Sequence, residues 1–147
     1  MTDYTHKIVV DCSEGTQIIP LTSEEIAELE ARDAAYTPTP TQQAQTLLTG
    51  GLTLTSTGNP SLNGTYPADA ATTAIINAEV TSILLNGVFA DGTSTLSWPD
   101  TSGTMHVFPS PAEFKLFAAA LASFVSGISK FQMGITTSLP SNTVTIA

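Results

Sequence analysis

The sequence predicts an α+β fold, with a small antiparallel sheet covered by two helices and preceded by an N-terminal β-arm and an acidic helix. Short stretches that alternate apolar and hydroxyl residues, separated by turns containing Gly and Pro, indicate strands. Two longer stretches with apolar residues three and four positions apart indicate helices. The first 33 positions carry eight of the 13 acidic residues, which sets an N-terminal segment apart from the rest.

The first predicted element is an extended arm or β-hairpin over residues 5–20. Lys7–Asp11 and Thr16–Ile19 have strand-like sequences, and Cys12–Gly15 between them has the composition of a turn. Pro20 ends the second strand because proline has no N–H to donate to a ladder. The arm contributes three candidate partner contacts: Ile8, Val10 and Ile18.

An acidic helix follows the arm. Thr22 and Glu25 have the spacing of a capping box, which marks the start of the helix. Ile26, Leu29 and Tyr36 lie on one narrow apolar stripe. Such a stripe is typical of a helix that docks on a partner or forms a coiled coil, and it equally fits a helix that packs loosely on its own domain. These three residues complete the set of candidate partner contacts.

A Pro- and Thr-rich segment separates this helix from the rest. Tyr36–Thr41 predicts a stiff, extended linker, and Gln42–Leu48 predicts a short helix that ends at Gly50. We therefore predict three parts: a β-arm with a docking helix over residues 1–36, a linker with a short helix over 37–50, and a compact α+β domain over 51–147.

The compact domain begins with strand signals. Gly51–Thr57 alternates with period two, and Ser61–Tyr66 returns after a turn at Gly58–Pro60. A helix with Asp69 as N-cap follows and ends at Gly87, which supplies a left-handed residue. Its predicted buried face consists of Ile76, Val80, Ile83 and Leu84, with Ile75 beside it.

The last third predicts a hairpin, a long helix and a strand. Thr95–Trp98 and Thr104–Phe108 flank a loop containing Gly103. Ser110–Glu113 has the N-cap Ser, N1 Pro and N3 Glu of a helix start. The 3–4 spacing of apolar residues along this helix predicts a core stripe of Phe114, Phe117, Ala118, Leu121, Phe124, Val125, Ile128 and Phe131. Thr143–Ile146 is predicted to form a final strand.

Net charge excludes several classes of partner. The chain carries 13 acidic and four basic residues, for a net charge of −9. This charge repels phosphate backbones, and no Lys/Arg cluster is present, so we expect neither nucleic-acid binding nor binding to anionic membranes. No run of 18 apolar residues predicts a membrane span. The apolar run Ile8–Val10 is too short for a secretory signal, so we expect the chain to fold in the cytoplasm of the cell that makes it.

Low charge content indicates an assembly component. Charged residues make up 12% of the chain, whereas an ordinary domain has ~25%. The polarity after residue 33 comes mainly from Thr, Ser and Asn. Short hydroxyl side chains lose little entropy when they are covered. Such a surface suits lasting contact with neighbouring subunits, so we expect an oligomer within a larger assembly. The alternative is a free-standing, β-rich surface of the secreted type.

No catalytic constellation is present in the sequence. There is no Gly-x-Ser-x-Gly motif, His6 and His106 are far apart, and Cys12 is the only cysteine. We therefore expect no enzyme activity, no metal site and no cofactor. One candidate ligand platform remains, in which the rings of Trp98 and Tyr66 with the polar groups of Asp100 and Asn63 would bind a sugar. The alternative is that Trp98 fills the core at the end of its hairpin.

Two stretches carry a family resemblance. Ile8–Gly15 followed by Pro20–Glu28 resembles the amino-terminal segment of many small phage tail-region proteins, in which a β-turn-β precedes an acidic helix. Leu96–Asp100, Thr104–Phe108 and Glu113–Phe117 together resemble a domain of unknown function found in phage and prophage proteins encoded near tail fibres. In that domain a Trp-containing hairpin precedes a helix with paired aromatic residues.

The resemblance implies a bacteriophage virion structural protein of the tail, baseplate or tail-fibre region, acting as a connector or fibre adaptor. Its partners would be other virion subunits, and it would reside in the virion. The resemblance assigns no functional residue. Two alternatives stay open: a tail-fibre assembly chaperone, which binds and then leaves, and a carbohydrate-binding module.

Overall fold

The structure, a computed structural model, describes residues 6–11 and 15–147. It divides into an N-terminal unit, residues 1–38, and a C-terminal unit, residues 39–147. Most of the predicted turn at Cys12–Gly15 lies outside the described residues, as do the side chains of Ile8 and Val10. The α+β class is confirmed.

The N-terminal unit contains the predicted hairpin and acidic helix. Strands β1 (His6–Asp11) and β2 (Gly15–Pro20) pair antiparallel, with Ile8 opposite Ile18. Helix α1 (Ser23–Ala35) follows, and the capping box of Thr22 and Glu25 is present. Both elements confirm the sequence prediction because their signals are local.

The Pro/Thr segment differs from the predicted linker. Helix α2 (Pro40–Gly50) begins at its second proline, with Thr39 as N-cap and Gln42 completing a second capping box. Proline suits the first helical position because its missing N–H would have no partner there. Ala44 is fully buried in the core of the C-terminal unit. The predicted separate part over residues 37–50 is therefore wrong: α2 belongs to the compact domain, and the division follows Pro38.

The remaining elements occur in the predicted order. They are β3 (Leu52–Ser56), a short 3₁₀ helix (Pro60–Leu62), β4 (Gly64–Tyr66), α3 (Ala70–Asn86), β5 (Leu96–Pro99), β6 (Met105–Phe108), α4 (Pro111–Gln132) and β7 (Thr143–Ile146). The predicted N-caps Asp69 and Ser110 each accept a hydrogen bond from the backbone N–H three residues on, and Gly87 ends α3 in the left-handed region.

Sheet topology departs from the single antiparallel sheet that was expected. In the C-terminal unit, β4, β3 and β7 form a mixed sheet in that order, in which β3 pairs antiparallel with β4 and parallel with β7. The β5–β6 hairpin is a separate antiparallel pair. The long return through α3, β5–β6 and α4 brings β7 alongside β3 in the same direction, as parallel pairing requires a crossover connection.

The core of the C-terminal unit lies against α4. Six of its side chains are buried: Phe114, Phe117, Ala118, Leu121, Phe124 and Ile128. The Phe114 ring meets Phe108 edge-on, with ring centroids 5.2 Å apart, which is a favourable aromatic geometry. Among the described residues, α4 alone is long and apolar enough to cross a membrane by length and composition. Here it supplies most of the predicted core stripe, but Val125 and Phe131 are only partly buried.

Helix α3 buries less than the sequence predicts. Ile76 and Ile83 are buried and Val80 is partly buried, which confirms part of the predicted face. Leu84, however, is 72% exposed, and Ile75 is more than half exposed. Successive residues of a helix are separated by about 100° around its axis. Leu84 therefore points well away from Ile83, and the prediction that it is buried is wrong.

Candidate partner-binding surface

The N-terminal unit is held together by interactions around the start of α1. The Thr22 hydroxyl accepts from the Glu25 N–H at 3.3 Å, and the Glu25 carboxylate accepts from the Thr22 N–H at 2.9 Å. The same carboxylate forms an ion pair with Lys7 of β1. The hydrogen bond from Lys7, aided by those from Thr22, lowers the pKa of Glu25 to about 2. This carboxylate therefore joins the hairpin to the helix.

This unit has no buried core among its described side chains. Ile26 and Leu29 are half-buried, and no residue of α1 is buried. Ile18 is 70% exposed and Tyr36 is 59% exposed. Large apolar side chains left in water gain nothing from folding. The unit consequently presents apolar side chains at its surface.

Tyr36 does not continue the predicted stripe. It is the C-cap residue of α1, with extended backbone angles (φ −70°, ψ 120°), so it lies beyond the helix. Ile26 and Leu29 do share one face of α1, three positions apart. The structure thus confirms two residues of the predicted stripe as neighbours on the helix and places the third at its end.

The rest of the α1 surface is acidic. Glu24, Glu28, Glu30 and Asp33 are exposed. Arg32 is the one basic residue of the helix and lies 3.9 Å from the carboxylate of Asp33. Apolar side chains beside a mainly negative surface favour a partner whose apolar patch is flanked by Lys or Arg.

The predicted sugar platform is wrong because both of its rings are buried. Tyr66 has no exposed surface, and its hydroxyl donates to the Leu62 carbonyl at 2.7 Å. Burial, with the nearby charge of Asp100, raises the pKa of this hydroxyl. Trp98 is 9% exposed and packs against Phe114, with ring centroids 6.0 Å apart. The alternative prediction, that Trp98 fills the core at its hairpin end, is confirmed.

An Asp–His pair joins two loops of the C-terminal unit. His106 is 8% exposed, and its Nδ1 lies 2.7 Å from the carbonyl oxygen of Ser61, at the 3₁₀ helix. Its Nε2 lies 3.3 Å from one carboxylate oxygen of Asp100. The other oxygen accepts from both the N–H and the hydroxyl of Ser102 and from the Thr104 N–H. The Ser102 hydroxyl, the His106 hydrogen bond and these N–H groups lower the pKa of Asp100 to about 2.

This arrangement is a structural bridge between the β5–β6 loop and the 3₁₀ helix. Both ring nitrogens of His106 are engaged, and the Ser102 hydroxyl contacts the carboxylate rather than the imidazole. A nucleophile–base pair requires a hydroxyl within hydrogen-bond reach of the base. Sequence reasoning did not predict the Asp100–His106 pair, because a six-residue separation across a hairpin loop is not a recognisable motif.

Gly64 makes room for this bridge. A Cβ at Gly64 would lie 2.9 Å from Nε2 of His106 and 3.4 Å from the Asp100 carboxylate. Only a residue without a side chain fits against the pair. The glycine of β4 therefore belongs to the same structural unit as His106 and Asp100.

Open grooves of the C-terminal unit include two with volumes of about 370 and 350 Å³. The first lies where α3 begins, against α2 and α4, and the second lies between α4 and the start of β7. Within the described residues, no three His, Cys, Asp or Glu side chains come together in a way that could hold a metal ion. No protein-family model, curated protein or solved structure matches this chain.

Proposed function

We propose that this chain is a structural connector of a bacteriophage tail, baseplate or tail-fibre region, and that it attaches to other virion subunits through its N-terminal unit. The observation that carries the proposal is that this unit has no buried side chain among those described, although it is folded into a hairpin and a helix.

The energetics of the N-terminal unit support an attachment role. An isolated two-stranded hairpin is at best marginally stable in water, and a helix of 13 residues is too short to be stable alone. Ordering each residue costs about 1–2 kcal/mol of backbone entropy. The capping box and the partly exposed Lys7–Glu25 pair offset only a small part of this cost. A partner that covers Ile18, Ile26, Leu29 and Tyr36 would supply the missing burial.

Charge indicates the chemistry of that partner. The N-terminal unit carries eight acidic residues against Lys7 and Arg32. Surface attraction of this kind is screened within about 8 Å at physiological salt. We therefore expect a partner surface with Lys or Arg around an apolar patch, and an association that weakens as salt is raised.

The tail-region assignment draws its support from the family resemblance. The first resembling stretch folds as the hairpin and acidic helix of the N-terminal unit. The second folds as the β5–β6 hairpin followed by α4. The C-terminal unit, with its own core and few charges, would be the body that the arm attaches.

Particle composition tests the proposal. Phage particles assembled with the full chain should contain it by mass spectrometry, whereas particles made with residues 1–38 deleted should lack it. The deleted protein should still show a cooperative unfolding transition by Trp98 fluorescence, because the C-terminal core does not include the arm. Its incorporation into particles at the level of the full chain would refute attachment through the arm.

The same measurement separates the connector from the tail-fibre assembly chaperone. A chaperone would be abundant in infected-cell lysate and absent from purified mature particles. That result would replace the connector while keeping the arm as a binding surface.

A further inference from the structure

His106 of β6 faces a hydrogen-bond acceptor at each of its two ring nitrogens. Its Nδ1 lies 2.7 Å from the carbonyl oxygen of Ser61, and its Nε2 lies 3.3 Å from Oδ2 of Asp100. A backbone carbonyl and an ionised carboxylate can only accept hydrogen bonds. A neutral imidazole has one N–H and one lone pair, so it can donate to only one of these two oxygens. The other nitrogen would then direct its lone pair at an oxygen atom.

A proton on the Asp100 carboxyl group would also resolve this conflict, but its own loop opposes it. Oδ1 of Asp100 accepts from the N–H and the hydroxyl of Ser102 and from the N–H of Thr104. The Ser102 hydroxyl, then the His106 hydrogen bond and these N–H groups, lower the pKa of Asp100 to about 2. Donors of this kind stabilise the charged carboxylate. The geometry therefore assigns the additional proton to the imidazole.

Water does not replace the missing donor at this contact. The side chains of His106 and Asp100 are 9% and 12% exposed. A Cβ at Gly64 would lie only 2.9 Å from Nε2, so the space on the β4 side is too small for a water molecule. The direct contact between Nε2 and Oδ2 also leaves no room for water between them. A lone pair left there would be desolvated beside a negative charge, which is unfavourable.

The other described elements packed against β6 are compatible with a cationic ring. Tyr66 of β4 has its ring centroid 5.4 Å from that of His106, within the distance at which an aromatic ring attracts a cation. Burial, with the charge of Asp100, raises the pKa of the Tyr66 hydroxyl, so this group stays neutral. Helix α4 packs against β6 through phenylalanine rings. Neither β5 nor the 3₁₀ helix has an ionisable side chain.

We propose that His106 is an imidazolium cation in the folded chain at neutral pH, and that its ion pair with Asp100 is a pH-sensitive latch between the β5–β6 loop and the 3₁₀ helix. Asp100 is held by its own loop, and His106 is held by Ser61. Loss of the second ring proton makes the contact between Nε2 and the carboxylate repulsive. The loop is then attached to β4 only by the hydrogen bond from the Thr101 N–H to the Thr65 carbonyl, at 2.7 Å.

The latch is closed between an acid limit and an alkaline limit. As the pH falls towards 2, Asp100 gains a proton and the ion pair is lost. As the pH rises above neutral, His106 gives up its second proton. Folding favours the cation, so its contribution to the free energy of unfolding is present at neutral pH and is lost as the pH rises. A histidine exposed to water, by contrast, is mostly neutral at about pH 7.

Nitrogen NMR of the full chain at about pH 7 tests the charge of the ring. Both ring nitrogens of His106 should have the chemical shifts of protonated nitrogens. The chain has two histidines, so His6→Gln assigns the signals and serves as the matched control, in which those of His106 should be unchanged. An unprotonated nitrogen on His106 overturns the proposal. This measurement on the wild type does not depend on the folding of a variant.

Asp100→Asn distinguishes an ion pair from a bridge that is only structural. The amide of asparagine has nearly the size of the carboxylate, and its NH₂ group can donate to the lone pair of a neutral imidazole. His106 should therefore have one protonated and one unprotonated nitrogen in this variant at about pH 7. A ring that stays doubly protonated would show that Asp100 does not hold the cation, and it would overturn the proposal. Unchanged circular dichroism should show that the variant folds.

An alkaline titration followed by amide NMR tests the latch itself. In the wild type, the amide signals of residues 100–104 should shift with the same midpoint as the ring nitrogens of His106. In Asp100→Asn they should stay constant over that range, because no ion pair is present to break. Loop signals that stay constant in the wild type while the ring loses its proton overturn the latch. The experiment uses the purified chain, so its outcome is independent of the proposed attachment function.

Discussion

The two units of this chain are stabilised in opposite ways. The N-terminal unit is charge-rich and has no buried side chain among those described, so capping and ion pairs at its surface hold it together. The C-terminal unit carries only five acidic and two basic residues and has a continuous core built on α4. The comparison shows that regular secondary structure alone does not identify a self-sufficient fold. The proposed attachment role follows from this contrast, since a partner would supply the burial that the described side chains of the N-terminal unit lack.

The largest expected effect concerns the C-terminal core. Phe117 is fully buried, with ring centroids 4.7 Å from Tyr66 and 5.1 Å from Phe108. Phe117→Ala should lower the free energy of unfolding by about 4 kcal/mol, since it removes burial and leaves a cavity. Urea denaturation followed by the fluorescence of Trp98, the one tryptophan of the chain, measures this unit alone. Leu116 is a half-exposed neighbour, so Leu116→Ala should lower the free energy of unfolding by less than about 1 kcal/mol. Equal losses for the two variants would contradict the assigned core.

The second largest effect distinguishes two adjacent glycines. Gly51 has a φ of +76°, and a Cβ there would lie 2.4 Å from the carbonyl oxygen of Tyr66. Gly51→Ala should lower the free energy of unfolding by at least about 2 kcal/mol, because the backbone at Gly51 or Tyr66 would have to move. Gly50 ends α2 with nothing within 4 Å of a Cβ, so Gly50→Ala should be neutral or slightly stabilising. Similar melting temperatures for the two variants would contradict the α2–β3 junction described here.

A smaller effect should appear in acid. The pKa of Asp100 is about 2 in the folded chain, below the usual 3.8. Folding therefore favours the charged form of Asp100. Its contribution to the free energy of unfolding is complete above about pH 4 and is lost as the pH falls towards 2. Trp98 fluorescence melts should show a shallower loss of stability over this window in Asp100→Asn than in the wild type.

Glu25 is the counterpart of Asp100 in the N-terminal unit, since its pKa is also lowered to about 2. Glu25→Gln should leave the acid dependence of the Trp98 signal unchanged, because Glu25 stabilises the hairpin and α1. A change in that signal as large as the one from Asp100→Asn would show that the two units do not unfold independently.

The smallest effect is expected at the start of α1. Thr22→Ala removes the cap and should cost about 1 kcal/mol of local helix stability. Far-ultraviolet circular dichroism should show a modest loss of helix, while the Trp98 unfolding midpoint stays the same. Ser23→Ala, at the first helical position, is the matched control and should preserve the helix signal. A shift of the Trp98 midpoint by Thr22→Ala would break the distinction between the units.

Much of the secondary structure could be predicted from the sequence because its signals act over a few residues. The caps Thr22, Asp69 and Ser110 and the left-handed Gly87 were recognisable from their immediate neighbours. Thr39 uses the same chemistry and was missed, because two Thr-Pro pairs in succession are also typical of an extended linker. Its neighbour Pro40 is at a position where proline favours a helix.

The site residues were harder to predict because burial depends on distant parts of the chain. Trp98 and Tyr66 have rings that bind sugars when exposed, and only the packing of α4 against them excludes this role. The Ser61–His106–Asp100 bridge joins residues 45 positions apart. No spacing rule relates them, because only the tertiary fold brings them together.

The sequence by itself determined where most helices and strands begin and end, the acidic character of the arm and most of the apolar stripe of α4, because these depend on neighbouring residues and on composition. The tertiary structure alone decided that β7 pairs parallel with β3, that α2 joins the core and that Leu84 points outward. Each of these depends on which surfaces meet once the chain has closed long loops. That choice is made by the total packing of the core rather than by any local preference.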